Sequence, residues 1–227
     1  MEEIYEIENR YVEPQTPKAS SARNLKIIEE LRKVNADILV LTETNSIINP
    51  GSEYQQVSTT ALSKSHSTYY GEGEVRTTIW SKSAATQQAI TYDPDTSVCI
   101  LFPTALGELN VYGTVIGVFG NRNPSFLVDL RKQISDWKHL AKNGICVVGD
   151  FNLSFADSYY FTKVGRQLIT DCFEELKIKN LTHDIKNNID HIAISESFVN
   201  GAKFDTGIWN EGKKLSDHQG VWAVLEV

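Results

Sequence analysis

Four short polar clusters hold the residue types that phosphate chemistry needs, and each lies at the end of an apolar run. Glu43 follows Ile38-Leu39-Val40-Leu41. Asp150 and Asn152 follow Ile145-Cys146-Val147-Val148-Gly149. Asp190-His191 opens Ile192-Ala193-Ile194-Ser195, and Asp217-His218 precedes Gly220-Val221-Trp222-Ala223-Val224-Leu225. In the first two clusters the polar group is at the C-terminal end of its run; in the last two it is at the N-terminal end. Antiparallel neighbours place such ends side by side, so all four can meet on one sheet edge. Carboxylates brought together repel one another unless a cation neutralises them. Hard oxygen donors with few soft ligands suit Mg²⁺, or Mn²⁺ in its place, better than zinc. A histidine next to a carboxylate is oriented by it and suits an anionic phosphate. A metal, a base and a cationic histidine together make a phosphoryl-transfer site.

Each cluster also has a plain reading. Asp150-Phe151-Asn152 are turn residues. Ser216-Asp217-His218 could close a loop through side-chain hydrogen bonds. Glu43 could be the exposed end of a strand, and Asp190 a turn cap. What favours chemistry is the combination, in this order and at a strand end each time.

The elements that must position these residues follow from periodicity. Ile4–Glu8 alternates as a half-buried strand. Residues 13–21 read as a loop with two prolines, after which Ser20 or Ser21 caps a helix with a stripe of Ala22, Leu25, Ile28 and Leu31, ended by Asn35. Ile38–Leu41 is a strand buried on both faces. The polar segment 44–75 holds one strand near Gln55–Thr60. Thr77–Ser81, Val98–Phe102 and Leu109–Val118 are further strands. Phe126–Ala141 is a helix with Leu127, Leu130, Ile134, Trp137 and Ala141 on one face, stopped at Asn143-Gly144. Ile145–Val148 is a buried strand, a second long helix lies within 162–176, and Ile189–Ser195 and Gly220–Val227 are the last strands. Strands dominate and helices do not alternate with them, which favours packed sheets with helices outside over a doubly wound parallel fold.

Composition sets bounds. The 227 residues are 41% hydrophobic and 22% charged, ordinary for a globular chain and unlike a disordered or fibrous one. One domain over residues 1–227 is expected, since no linker divides the chain. A net charge of −7 makes a poor general polyanion binder, although a local basic groove remains open. Cys99, Cys146 and Cys172 form no CxxC pair; Cys99 and Cys146 read as small core residues. The acidic start, MEEIYEIENRY, is not a signal peptide, and no apolar run is long enough to span a bilayer. A cytoplasmic protein without a membrane partner or an obligate protein partner is expected.

Leu41-Thr42-Glu43, Gly149-Asp150-Phe151-Asn152, Ile189-Asp190-His191 and Ser216-Asp217-His218 resemble the ordered motifs of the endonuclease/exonuclease/phosphatase superfamily, the deoxyribonuclease I-like fold. Thr78-Ile79-Trp80-Ser81-Lys82 is similar to that family's central "ILSR" strand. The resemblance implies an α+β, four-layered αββα sandwich: two mixed sheets face to face with helices outside. It implies a Mg²⁺-dependent hydrolase of phosphate esters. Glu43 would bind the metal, with Asp217 contributing directly or through water. Asp150 would orient or deprotonate the attacking water, and Asn152 would hold the scissile phosphate. His218 would bind a phosphate oxygen, held as imidazolium by Asp190. The family's first strand ends in a metal-holding Asn; here the position falls on Glu6 or Asn9, and residue type favours Asn9. Val115 takes the place of a family histidine, so Tyr112 either supplies a hydroxyl, as in the abasic-endonuclease branch, or is a strand aromatic. Arg122 and Asn123 follow, and Arg122 is either a phosphate clamp or a solvated loop residue. The loops at Tyr69-Tyr70 and at Trp209 could stack on bases. His183 and His191 have no evident role, His191 reading as a core or supporting residue.

Three functions fit. The first is a nuclease cutting phosphodiester bonds, on a small or single-stranded substrate rather than a long duplex. The second is a phosphatase of a small soluble phosphate ester. The third is a non-catalytic binding module on the same fold, motivated by the irregular first strand and Val115.

Overall fold

A computed structural model describes residues 2–8, 17–62 and 73–226. Its order is β1 (Glu2–Glu8), α1 (Pro17–Val34), β2 (Ile38–Thr44), β3 (Gln55–Ser58), β4 (Val75–Ser81), β5 (Gln87–Ala89), β6 (Ser97–Thr104), β7 (Gly107–Val115). Then come α2 (Ser125–Leu140), β8 (Ile145–Asp150), α3 (Lys163–Leu176), β9 (Ile178–Asn180), β10 (Asp190–Ser195), β11 (Lys203–Trp209) and β12 (Gly220–Glu226).

The strands form two mixed six-stranded sheets, β11-β12-β1-β2-β4-β3 and β5-β6-β7-β8-β10-β9. Their inner faces meet in one apolar layer that includes Val40, Ile79, Val111, Val148, Ile192 and Val221. α1 covers the outer face of the first sheet through Ile27, Leu31, Leu39, Leu41 and Trp80. α2 and α3 cover the second through Phe126, Trp137, Phe151, Ile169 and Phe173. This is the expected αββα sandwich. β2 shows how the layers are built. Leu39 and Leu41 face α1 while Ile38 and Val40 face the other sheet, so the whole run is apolar.

Several boundaries differ from the sequence reading. α1 begins at Pro17, so Ser20 and Ser21 lie inside the helix rather than at its cap. Proline suits a first turn, where its missing N–H has no partner to lose. The buried stripe of α1 is Asn24, Ile27, Ile28 and Leu31, whereas Ala22 and Leu25 are exposed. Asn35 ends the helix in the left-handed region at φ 53°, as expected. On α2 the buried line is Phe126, Leu130, Gln133 and Trp137, one position round from the predicted face. Gln133 is there because Thr114 Oγ1 donates to its Oε1 at 2.7 Å. The short strands β5 and β9, and β11 with its mixed sequence, carry too little of an apolar run to be read in advance. All three cysteines are buried and free; burial pushes the Cys99 thiol up to about 12 and Cys172 to about 11.

Candidate active site

β8 and β10 run antiparallel, and their register places Asp190 opposite Asp150. The last residue of one strand thus faces the first of the next, as the motif positions imply. β12 enters from the other sheet, and His218 just ahead of it reaches Asp190, Nδ1 to Oδ2 2.9 Å. Ligand-type atoms of Asp150, Asp190 and His218 all lie within 4.8 Å of one another, and all three residues are buried.

Asp150 is held by the turn it starts. Its Oδ1 accepts from the Asn152 backbone N–H at 2.7 Å, and its Oδ2 accepts from Asn152 Nδ2 at 3.0 Å. Asn152 adopts φ 50°, a conformation that asparagine tolerates better than most residues. Its amide also donates to Ile116 O at 3.0 Å and Gly117 O at 3.3 Å. The amide N–H groups are therefore committed to fixing Asp150 and the loop after β7, not directed at a phosphate. Asn121 Nδ2 donates to Asn152 O at 2.7 Å, and its Oδ1 is buried with no partner among the described residues. An acceptor left in that position suits a hydroxyl or water donor.

Burial pushes the His218 imidazole down, to about 4, while the neighbouring Asp190 carboxylate acts in the opposite direction. In its neutral form the ring donates Nδ1–H to Asp190 and keeps Nε2 as an acceptor. His191 is neutral, pushed down to about 4 by burial. Its Nε2 donates to Leu153 O at 2.8 Å and its Nδ1 lies 3.1 Å from Thr182 Oγ1. It ties β10 to the segment just beyond Asn152, which gives the histidine the supporting place that sequence left open.

Glu43 sits at the same edge on β2. The ladder with β4 passes from Thr42↔Thr77 to Thr44↔Val75, so Glu43, at φ 49°, lies level with Arg76 between two paired positions. Arg76 of β4 makes an ion pair with its carboxylate, and both side chains are largely buried. Sequence reasoning missed Arg76, since a strand's own sequence does not show which residue of its neighbour will lie level with it.

The β11–β12 loop is braced by another residue that the sequence did not single out. Asn210 Oδ1 accepts from the Lys214 and Leu215 backbone N–H groups, both at 3.0 Å. Its Nδ2 donates to Ser216 O at 3.1 Å and His218 O at 2.8 Å. One side chain thus fixes the curve of the loop that delivers His218.

The remaining predicted residues divide. Asp217 is exposed and does not join the buried cluster, though it adjoins His218. Tyr112 is not brought to the site. It lies under α2, edge-on to Trp137, with its hydroxyl donating to Asp136 Oδ2 at 2.9 Å. The cause is strand parity together with position along the strand: Tyr112 pairs with Val147, whereas Val115 is the residue level with Asp150. Arg122 is exposed on its loop. Asn9 and Tyr69-Tyr70 lie outside the described residues. Glu6 is in β1, level with Val40 and Val221.

A four-layered sandwich that gathers carboxylates and a histidine on one sheet edge is the architecture of the phosphoester-cleaving class that the motifs resemble. The chain belongs to the endonuclease/exonuclease/phosphatase family, whose model matches residues 9–218. Solved structures share the fold at low identity. The AP endonuclease from Archaeoglobus fulgidus aligns over 100% of both chains, with 14% identity and a TM-score of 0.69. An endonuclease/exonuclease/phosphatase from Bacteroides vulgatus aligns over 99% of this chain and 98% of its own, with 15% identity and a TM-score of 0.70. The endonuclease domain of TRAS1, a telomere-specific non-LTR retrotransposon, gives 16% identity and a TM-score of 0.65 over 100% and 99%. No curated protein matches the sequence. Among the described residues no helix is long and apolar enough to cross a membrane.

Proposed function

We propose that the chain, read as one domain over residues 1–227, is a divalent-metal-dependent phosphodiesterase that hydrolyses nucleic acid. The observation that carries this is the juxtaposition of Asp150, Asp190 and His218 at the meeting edge of the two sheets. A hard divalent cation fits the donors present. Two buried carboxylates at this separation repel unless positive charge lies between them, and the place beside Glu43 already holds the cation of Arg76. Glu43 would hold Mg²⁺ or Mn²⁺, with Asp217 and Asn9 as the further ligands that the family resemblance suggests. When bound, the metal supplies Lewis-acid polarisation of a phosphoryl oxygen.

The chain's own residues do the rest. Asp150, fixed by both Asn152 donors, orients the attacking water and takes its proton. Asn152 acts by positioning Asp150. Asp190 holds His218 in one tautomer with Nε2 toward the cleft. An anionic phosphate at Nε2 favours the protonated ring, which then donates to a phosphate oxygen as charge builds on it. Burial excludes water and strengthens each of these contacts.

A net charge of −7 favours a single-stranded or short substrate over a long duplex. The test is hydrolysis of a panel with Mg²⁺ and then with chelator: single-stranded DNA, duplex DNA with and without an abasic site, RNA, and simple phosphomonoesters. Chelator-sensitive cleavage of one polymer is the expected result. Release of inorganic phosphate from monoesters alone would give the small-ester reading instead. No turnover from folded protein would leave the non-catalytic module.

A further inference from the structure

A cavity of about 630 Å³ opens between the middle of α1 and the β11–β12 loop. It is separate from the Asp150–Asp190–His218 cluster but is built on the same loop. Arg23 and Lys26 line it from α1, and Trp209, Asn210, Lys214 and Leu215 line it from the other side. We propose that this cavity is a second phosphate-binding subsite, which grips the backbone of a nucleic acid strand whose scissile phosphate lies at His218. The proposal rests on the nuclease reading above and extends it to polymer substrates.

Charge is the first argument. Three cations converge here on a chain of net −7. The single carboxylate on the lining, Glu30, is engaged by Lys33 at 2.6 Å. Arg23, Lys26 and Lys214 make no ion pair among the described residues. Arg23 Nε is buried with no hydrogen-bond partner among them, a costly state unless an acceptor enters. A structural role would pair these cations with acids, whereas a phosphate site leaves them open.

Trp209 is the second argument. It lies level with Gly220 across the β11–β12 ladder. A Cβ on Gly220 would stand 1.4 Å from Trp209 Nε1, so only glycine lets the indole lie there. An indole beside cations is the pairing that takes a base face and its phosphate together. The ring packs partly against the apolar cluster beneath α1 and also lines the cavity.

Continuity is the third. α1 lies over β2 and joins it through residues 35–37, so the helix runs back from the start of β2 toward the edge where β2 ends, and the cavity lies along it. Asn210, on the cavity wall, also donates to His218 O at 2.8 Å. Lys214 is four residues before His218, at most about 14 Å along the chain. A strand whose scissile phosphate lies at His218 therefore needs only a few further nucleotides to reach the cavity.

The experiment is the affinity of end-labelled single-stranded DNA of increasing length for the full chain, by fluorescence anisotropy in chelator. Affinity is expected to rise as the strand is extended past the scissile position and to level off once it covers the cavity. Lys26→Gln with Lys214→Gln should weaken binding of the long strand about ten-fold at low salt. The slope of log affinity against log salt should fall by about 1.4, the value for two phosphates on a single strand. Trp209→Leu should cost about ten-fold with the slope unchanged. Lys142→Gln with Lys203→Gln, ahead of β8 and at the start of β11, is the matched control and should leave affinity as it was. Equal behaviour of the two lysine pairs, or affinity independent of length, overturns the subsite. So does preference for an acidic peptide over DNA. Hydrolysis of the same strand with Mg²⁺ is scored separately. Turnover without the lysine effect would remove the subsite and keep the nuclease, and the lysine effect without turnover would do the reverse.

Discussion

Asp150 ends β8 buried, with both carboxylate oxygens accepting from Asn152. Asparagine there is isosteric but can satisfy only one of those donors and turns a second donor toward the other. Asp150→Asn should therefore cost about 1 kcal/mol of stability and lower turnover about 10³-fold. Turnover near wild type, in protein shown to be folded by circular dichroism, would remove Asp150 from the chemistry. His191 makes a different prediction, about pH. Its folded-state pKa is depressed to about 4 from an ordinary 6.5, so the unfolded chain takes up a proton first as pH falls. Stability should be constant above about pH 6.5 and fall between there and about pH 4. Between pH 7 and pH 5 this one group should cost about 2 kcal/mol, read by urea unfolding. His191→Gln should be less stable at pH 7 but lose less on acidification; equal pH slopes would show that the ring is already charged in the fold.

At the scale of elements, the site depends on where two strands approach and where one loop bends. Gly149 has φ 137°, and a Cβ there would come 2.0 Å from Thr114 O on β7. Gly149→Ala should thus push β7 and β8 apart and cost about 2–3 kcal/mol, seen as a lower urea midpoint. The glycine of the GDFN motif is a packing requirement of the β7–β8 pair, and it places Asp150 one residue later. Asn210 makes four hydrogen bonds to its own loop. Asn210→Ala should loosen residues 213–218, giving faster amide exchange there and a kcat about ten-fold lower; Asn210→Asp, which keeps the two acceptor contacts, should recover part of both. The pairing of β2 with β4 sets up a competition between Arg76 and a divalent metal for the Glu43 carboxylate. Arg76→Gln should lower stability in chelator by about 2–3 kcal/mol, because it leaves a largely buried carboxylate without this partner. Mg²⁺ should restore more stability to that variant than to wild type in thermal unfolding, and an equal Mg²⁺ gain in both would show that Glu43 is not a ligand. Glu43→Gln should raise the Mg²⁺ needed for half-maximal turnover about ten-fold.

For the whole molecule, two six-stranded sheets share one apolar layer, and the site lies where strands from both come to the same edge. Neither sheet makes it alone: β8 and β10 bring Asp150 and Asp190, and β12 brings His218. Much of this was legible in sequence. Buried runs such as Ile38–Leu41 and Ile145–Val148 are strands because continuous apolar residues with β-branching suit sheets covered on both faces. The motif residues Asp150, Asp190 and His218 could be named in advance because each abuts such a run. What sequence could not give is parity and depth. Strand periodicity does not say which face of β7 meets the helix, and so Tyr112 turned out to lie under α2. It does not say how deeply His218 will be buried. Nor could it show Arg76 on Glu43, Asn210 under the loop, or three cations around Trp209, since each joins residues distant in the chain or curled within an irregular loop. Residue types and their order along the chain determined the class of chemistry, because donors, bases and apolar runs are local properties. Only the tertiary structure decided which of those residues meet, which are neutralised and how far each is from water, because those depend on register and on the packing of one sheet against the other.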